Sequence, residues 1–558
     1  MAPAAIWYVD ASRPASGDGF TWATAYTTIQ EAVDAADPNL GDEVWVRGGT
    51  YPEVATNGGV SLTLREGGRV YGGFAGNESS REARDVAANP TIIRGTATGP
   101  EDRTPGPPVV LGATNSLLDG FVIRGGRALR GAGLYCFRTS PTVRNCVFED
   151  NIAIHDETIA KSGWGGAVGV VGGVTPLFED CVFRNNQGLL GGAMHLENGK
   201  PTVRRCLFEE NEAYLSIGPV PGVPPDLWQD QSGNGGGIYG FEQAAALIEQ
   251  TTFRRNKANT FGGALSFYER CEATVRDCVF IDNTADRDPA VVGDFPGGRG
   301  GALEVQWDSS TFERCYFRGN TSSDDGGAVF IAGFRPEVNP DFTEQYLARS
   351  FANPTFVNCI FVDNSAAGTG GAAFIFQALA TFRHCTFTGN AATRPDLSSG
   401  GGVHALFFAN PTLESCVGWF NTPFDVFDLP EVEFDPGDGN VIFVPGSATT
   451  ARFSNFGAVS STPENLTPQG LLVGPGNISE PPAFRNCDAD LPGDVALLAV
   501  SPSLNSGDPD SPTTVDFFGD ARDDGAPDMG AIEGSASADC SDPEGEGEGE
   551  GEGEGEGE

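Results

Sequence analysis

A couple of short motifs returns through the middle of this chain, and an internal repeat limits the possible folds more than any other sequence feature. Gly191-Gly192-Ala193 is followed fifteen residues later by Phe208, in the run Cys206-Leu207-Phe208-Glu209-Glu210-Asn211. The Cys-x-Phe-x-x-Asn positions are Cys146/Phe148/Asn151, Cys181/Phe183/Asn186, Cys206/Phe208/Asn211, Cys278/Phe280/Asn283, Cys315/Phe317/Asn320, Cys359/Phe361/Asn364 and Cys385/Phe387/Asn390. Two copies are degenerate, with Thr251 for Cys before Phe253 and Gly418 for Phe between Cys416 and Asn421. The glycine triplets start at Gly165, Gly191, Gly236, Gly262, Gly300, Gly326, Gly370 and Gly401.

From the third triplet residue to the aromatic the distance is 15 or 16 residues in seven of eight units, and 33 from Ala328 to Phe361. From Phe to the next triplet it varies, from Phe183 to Ala193 up to Phe208 to Ile238, so extra residues are expected at one fixed corner of a coil. The shortest repeat, about 25 to 27 residues, suits three short strands and three turns. Cys and Phe at i and i+2 share one strand face, and that face is expected inside. Stacked coils lie about 4.8 Å apart, so like residues pile into ladders. An Asn amide in a turn bonds its neighbours and tolerates left-handed backbone, and the glycine pair permits a corner that a Cβ would obstruct. The predicted fold is an all-β solenoid of stacked parallel coils, with Cys181, Phe183, Asn186, Cys206, Phe208, Asn211, Cys278, Phe280 and Asn283 as ladder residues.

Composition agrees. Glycine at 77 residues and proline at 38 mark a turn-rich chain, while 38 Phe can fill a long core. The formal charge of −42 repels phosphate backbones and anionic membranes, which excludes nucleic acid as a partner. No apolar run is long enough to span a bilayer, and residues 1–5 carry no signal-peptide pattern; a cytosolic protein or one whose signal has been removed are both compatible.

Before the array, residues 6–10 read as a strand, and Ala25, Ile29, Ala32, Val33 and Ala36 at helical spacing predict an amphipathic helix over 24–36, ended by Asp37-Pro38. Strands are expected at 44–46, 62–64, 70–74, 91–93, 109–111 and 117–123. Thr28-Ile29-Gln30-Glu31-Ala32-Val33 followed by Gly49-Thr50-Tyr51-Pro52-Glu53 resembles the opening of pectin methylesterases and of bacterial right-handed β-helix proteins, which implies a helix closing the solenoid's N-terminal end. The Gln-Asp block of the methylesterases is missing, so their activity is not carried over.

The repeat itself, as in Gly262-Gly263-Ala264-Leu265 with Phe280-Ile281-Asp282-Asn283, resembles that of chlamydial polymorphic membrane proteins. The resemblance implies a right-handed parallel β-helix solenoid of the pectate-lyase-like kind in an extracellular or cell-surface setting; the autotransporter barrel of those proteins has no counterpart here. Toward the C-terminus, Ser501-Pro502-Ser503-Leu504-Asn505-Ser506-Gly507-Asp508, Asp516, Gly519, Arg522 and Asp528-Met529-Gly530-Ala531-Ile532-Glu533 resembles the closing segment of choice-of-anchor-type β-helix surface proteins, which usually have Asp where Asn505 stands. The domain reading is 1–43 N-terminal strand and capping helix, 44–425 β-helix, 426–536 irregular coils and cap, and 537–558 a disordered tail whose Glu-Gly alternation cannot build a core.

Chemistry is harder to find. Of twelve cysteines, eight hold the inward repeat position and are expected as free, buried thiols; bridges Cys271–Cys278 and Cys487–Cys540 stay open. His155, His195, His384 and His404 lack metal-ligand spacing and read as surface or turn residues. No nucleophile elbow, Walker sequence or dinucleotide fingerprint occurs. No catalytic residue and no metal site is assigned, although Asp508, Asp510, Asp516 and Asp520 form an acidic cluster where calcium is conceivable beside plain loop solvation.

Function is therefore sought in what interrupts the repeat, between Asn151 and Gly165, Asn211 and Gly235, Asn283 and Gly300, and Ala328 and Phe361. There Trp164, Tyr214, Trp228, Phe342 and Tyr346 stand beside acids and amides, a pairing that suits sugar rings or protein partners. The expected role is structural or adhesive, binding glycan or a surface protein through these loops. The alternative is a polysaccharide lyase or glycoside hydrolase of the same fold.

Overall fold

The structure is a computed structural model that describes residues 4–52, 61–95, 104–156, 158–159, 161–214, 233–287, 297–333, 352–394, 400–407, 409–428, 432–434, 442–444, 447–461, 466–467, 472–484, 495–522 and 526–533. The chain winds as a parallel β-helix. A representative coil consists of Met194–Glu197, Thr202–Arg204, Leu207–Glu209 and Glu212–Ala213. These strands belong to four parallel sheets, here I to IV in that order, of 13, 14, 13 and 9 strands. The expectation of three strands per coil is thus corrected to four. The fourth is only two residues long, and strands that short leave no periodic signature in a sequence.

The corners explain the repeat. The residue before each ladder Cys, as at Asp180, Arg205 and Asp277, and the residue before each ladder Asn, as at Asn185, Glu210 and Asp282, has φ between +48° and +67°. One left-handed residue turns the chain from sheet II to III, and one more from III to IV. The ladder Asn is therefore not itself left-handed, as had been expected; its predecessor is. Gly120 (φ 85°) likewise splits the expected 117–123 strand into Leu117–Asp119 and Val122–Arg124.

Glycine is needed twice at the corner before sheet I. Gly191 has φ 72°, and a Cβ on Gly192 would run into the carbonyl oxygen of Gly236 on the next coil. Gly236 meets Gly263 in the same way, and Gly263 meets Gly301. Strand register moves two of the expected triplets by one residue. Ile238 pairs with Met194 and Val403 with Ala373, so the glycine runs begin at Gly235 and Gly400.

The inward ladders are as expected. Phe148, Phe183, Phe208, Phe253, Phe280, Phe317, Phe361 and Phe387 are fully buried and stacked with centroids 4.4 to 5.1 Å apart. The Asn211 amide donates to Asn256 Oδ1 at 2.9 Å and to the Phe183 carbonyl at 2.8 Å, and its backbone N–H donates to the same Asn256 oxygen at 3.1 Å. This pattern satisfies every polar atom of a fully buried residue, which is why the position is invariantly Asn along the stack. Asp425 ends the row, its Oδ1 accepting both N–H groups of Asn421. The ten cysteines of the described residues are free and buried, Cys271 and Cys278 included, so that bridge does not form. Cys206 Sγ donates to the Arg204 carbonyl, a bond that Thr251 makes to Glu249 in the degenerate copy. Cys487 and Cys540 lie outside the described residues.

At the N-terminal end, helix α1 spans Ile29–Ala35, not 24–36, because Thr28 and Glu31 form a capping box that starts it there. Ile29, Ala32 and Val33 bury into the core of the first coils. At the other end, Thr450–Arg452, Asn455–Phe456 and Val459–Ser460 extend sheets II, III and I. Residues 495–522 and 526–533 then fold back along the outside of sheet III. Val495, Ala496, Ala531 and Ile532 bury against Tyr316, Ile360 and Val362.

Candidate functional site

Sheet I is the surface to which the insertions belong. Extra residues lie between sheets IV and I at 154–163, 214–233, 286–298 and 393–399, but the 333–354 excursion lies between sheets I and II. Insertions thus enter at two corners rather than one, and both corners border sheet I.

Strand alternation sends the first and third residues of each sheet I strand into the core and the second and fourth outward. The second residues form a row from His195 through Tyr239, Ser266, Glu304, Phe330 and Phe374 to His404. All seven are buried even though they point away from the core. The histidine expectation is corrected here, since His195, His384 and His404 are all buried.

His195 lies between two rings, 4.4 Å from Trp164 and 5.5 Å from Tyr239. Neither of its ring nitrogens has a hydrogen-bond partner, and burial, aided by Arg130 and Lys161, lowers its pKa to about 3. His195 is a neutral imidazole at physiological pH. Trp164 is half-buried with Arg130 and Lys161 over its ring, and Lys161 is held by Glu197 at 2.5 Å. The Tyr214 hydroxyl donates to the Ala153 carbonyl at 2.7 Å and accepts from the His155 N–H at 3.1 Å, which pins one excursion to another coil. Of the two expected binding residues among the described residues, Trp164 and Tyr214, Trp164 is brought to this face with its ring half-buried. Trp228, Phe342 and Tyr346 lie outside the described residues.

Further along the row, Glu304 is fully buried on the outward side of the sheet. Ser266 Oγ donates to its Oε2 at 2.5 Å while Oε1 has no partner. Burial is the main cause that raises its pKa to about 7, against the pull of Arg299. Arg299 is engaged by Asp324 at 2.8 Å and Asp325 at 3.3 Å, and stands over the Phe330 ring. The result is a carboxyl group that holds its proton near neutrality.

In front of this row, at the edge toward sheet II, lie Phe241, Tyr268 and Trp307 from three successive coils. Each is half-buried, with centroids 5.8 Å apart for the first pair and 5.0 Å for the second. Exposed Glu242 and Glu272 border this aromatic strip.

The family model for the right handed beta helix region matches residues 69–338 and 229–417, together more than half of the chain. The chain belongs to the right-handed β-helix family. Its coils therefore wind in the right-handed sense that the resemblance implies. Among solved structures, the catalytic unit of a GH87 alpha-1,3-glucanase from Streptomyces thermodiastaticus aligns over 83% of this chain and 71% of its own, at 11% identity and TM-score 0.35. Pectate lyase Pel9A aligns over 96% and 97%, at 11% identity and TM-score 0.29. The A-module of the Azotobacter vinelandii mannuronan C-5 epimerase AlgE4 aligns over 85% and 100%, at 13% identity and TM-score 0.34. These are likenesses of fold. Among curated proteins none matches the chain.

On this β-helix no group of three or more His, Cys, Asp or Glu side chains among the described residues is placed to hold a metal ion. In the acidic cluster, Asp508 Oδ1 accepts the Asp510 N–H, and Asp516 accepts the N–H groups of Phe518, Asp520 and Glu533. These carboxylates shape turns. No helix among the described residues is long and apolar enough to cross a membrane.

Glu304, Ser266 and the strip escape a motif search because they sit at outward positions, which the repeat does not specify. A signal was nevertheless present: Phe241, Tyr268 and Phe376 each fall six residues after the first glycine of a run, at Gly235, Gly262 and Gly370.

Proposed function

We propose that the protein binds an extended polysaccharide along the outer face of sheet I, and that it does so as a secreted or cell-surface β-helix. The carrying observation is the strip of Phe241, Tyr268 and Trp307, half-buried and side by side on three successive coils. A chain running along the solenoid axis meets one ring per coil, and aromatic surface beside carboxylates suits the apolar patches and hydroxyls of sugars. The chain is lengthened on both sides of sheet I in sequence, between sheets IV and I and between sheets I and II.

Affinity electrophoresis through gels carrying soluble polysaccharides tests the reading. Retardation by at least one polysaccharide is expected, together with its loss in Tyr268→Ala/Trp307→Ala. Free migration across a broad panel, or equal retardation of the variant, would contradict it.

A second reading, cleavage of the bound chain as a lyase or glycoside hydrolase, has its own observation. Glu304 lies two residues before Gln306, the strand residue in register with Tyr268, and keeps its proton to about pH 7, the state required of a general acid. Release of reducing ends or unsaturated products that disappears in Glu304→Gln supports this reading. Absence of any product from a polysaccharide that the protein binds leaves a binding role alone.

A further inference from the structure

Resting on the glycan-binding reading of the strip, we infer that the polysaccharide it takes is one without acid groups. The charged groups around the aromatic side chains carry the inference. Glu242 and Glu272 are exposed at the border of the strip, and Glu269, next to Tyr268, is buried beside them. Arg270 is the exposed cation of the turn that carries Glu269 and Glu272, and together with Glu242 from the turn of the preceding coil the carboxylates outnumber it three to one.

Several other cations of the face are already engaged, while Lys200 stands exposed in the turn one coil before Phe241. Lys161 is paired with Glu197 at 2.5 Å, Arg299 with Asp324 at 2.8 Å and Asp325 at 3.3 Å, and Arg138 lies over the Phe137 ring at 5.3 Å. A polyuronate would bring one carboxylate per sugar against this border, within a molecule of formal charge −42. Like charges brought together repel, and two facing acceptor-only groups cannot hydrogen-bond each other. The hydroxyls of a neutral sugar, by contrast, donate to Glu242 and Glu272 while the ring lies on Tyr268 or Trp307. The same acids that exclude a uronate thus provide acceptors for an uncharged chain.

Titration calorimetry of the full chain with hexasaccharides tests the inference. The neutral probes are hexamers of glucose, xylose and mannose; the acidic probes are hexagalacturonate and hexamannuronate. At about 20 mM salt a neutral hexamer is expected to bind at least about tenfold more tightly than either acidic one. The gap should narrow at about 500 mM salt, where charges are screened beyond about 4 Å. Glu242→Lys/Glu272→Lys, altering two exposed positions, should narrow it about tenfold at low salt, while Trp307→Ala weakens neutral binding about tenfold.

Acidic hexamers that bind as tightly as neutral ones, or a preference that charge reversal leaves unmoved, would overturn the inference. If such acidic binding is lost in Trp307→Ala, the strip remains the glycan site and only its charge selectivity falls. If no hexamer of either kind binds, the glycan-binding reading falls with it.

Discussion

Each coil is specified by a few side chains with separate physical tasks. Phe280 sits in an unbroken ladder, 5.1 Å from Phe253 and 4.6 Å from Phe317. Phe280→Asp places an unpaired carboxylate there at a cost of several kcal/mol, and insoluble or unfolded protein is expected on expression. Asn211→Ala strands Asn186, whose amide and backbone N–H both donate to Asn211 Oδ1. A loss of about 2 to 4 kcal/mol in denaturant unfolding is expected; a neutral result would mean the ladder is not held by its amides. Two buried titrating groups act in opposite directions. Glu304 ionises near 4.5 when unfolded but near 7 when folded, so it favours the fold below pH 4.5 and that contribution is lost as pH rises toward 7. His195, depressed to about 3, favours the fold above pH 6.5, and its contribution is lost as pH falls toward 3. Thermal melts of Glu304→Gln should therefore gain on the wild type by ~1.4 kcal/mol per unit between pH 4.5 and 7. Parallel curves across that window would place Glu304 in contact with water.

Among elements, the outer faces of sheets II and III show why part of the structure could be read in advance and part could not. Outward charges pair along the stack, as Glu179 with Arg204 at 2.6 Å and Arg205 at 2.7 Å, or Glu249 with Arg276 at 2.6 Å. On sheet III this charged pattern gives way to Ile281, Tyr316, Ile360 and Val362, and the last three are the residues covered by the folded-back residues 495–522 and 526–533. Apolar residues at outward positions announced a covered face, but nothing local said what covers it. The Asp516, Arg522 and Glu533 resemblance marked the segment without showing that it lies against the side of the solenoid. There the Arg522 guanidinium bonds Glu533 at 2.5 Å and Asn358 at 3.1 Å, while His384 meets Ser511 at 2.8 Å. Arg522→Met leaves Glu533 buried without its cation, and a loss of about 3 to 5 kcal/mol is expected. Hydrogen exchange should rise first in residues 358–386 and 511–533, with the coils around 180–260 unchanged; uniform loss of protection would show that the segment is integral to the whole stack.

At the scale of the molecule, the fold was legible because one unit is repeated, and repetition averages out the ambiguity of three-residue strands. The site was not legible for the same reason. The repeat records what the interior requires, whereas Phe241, Tyr268, Trp307, Ser266 and Glu304 occupy positions the interior leaves free. Of the expected loop residues, Trp164 borders sheet I beside His195, while Tyr214 pins one excursion to another coil. What joins the scales is the placement of an aromatic strip and a protonated carboxyl on the one sheet that insertions border on both sides. The most direct test is titration of a neutral hexasaccharide panel into the wild type and into Tyr268→Ala/Trp307→Ala. Binding by the wild type that falls by about a hundredfold in the variant is the predicted result. Equal affinity in both, or heat-silent titrations throughout, would contradict the assignment of sheet I as the glycan-binding face.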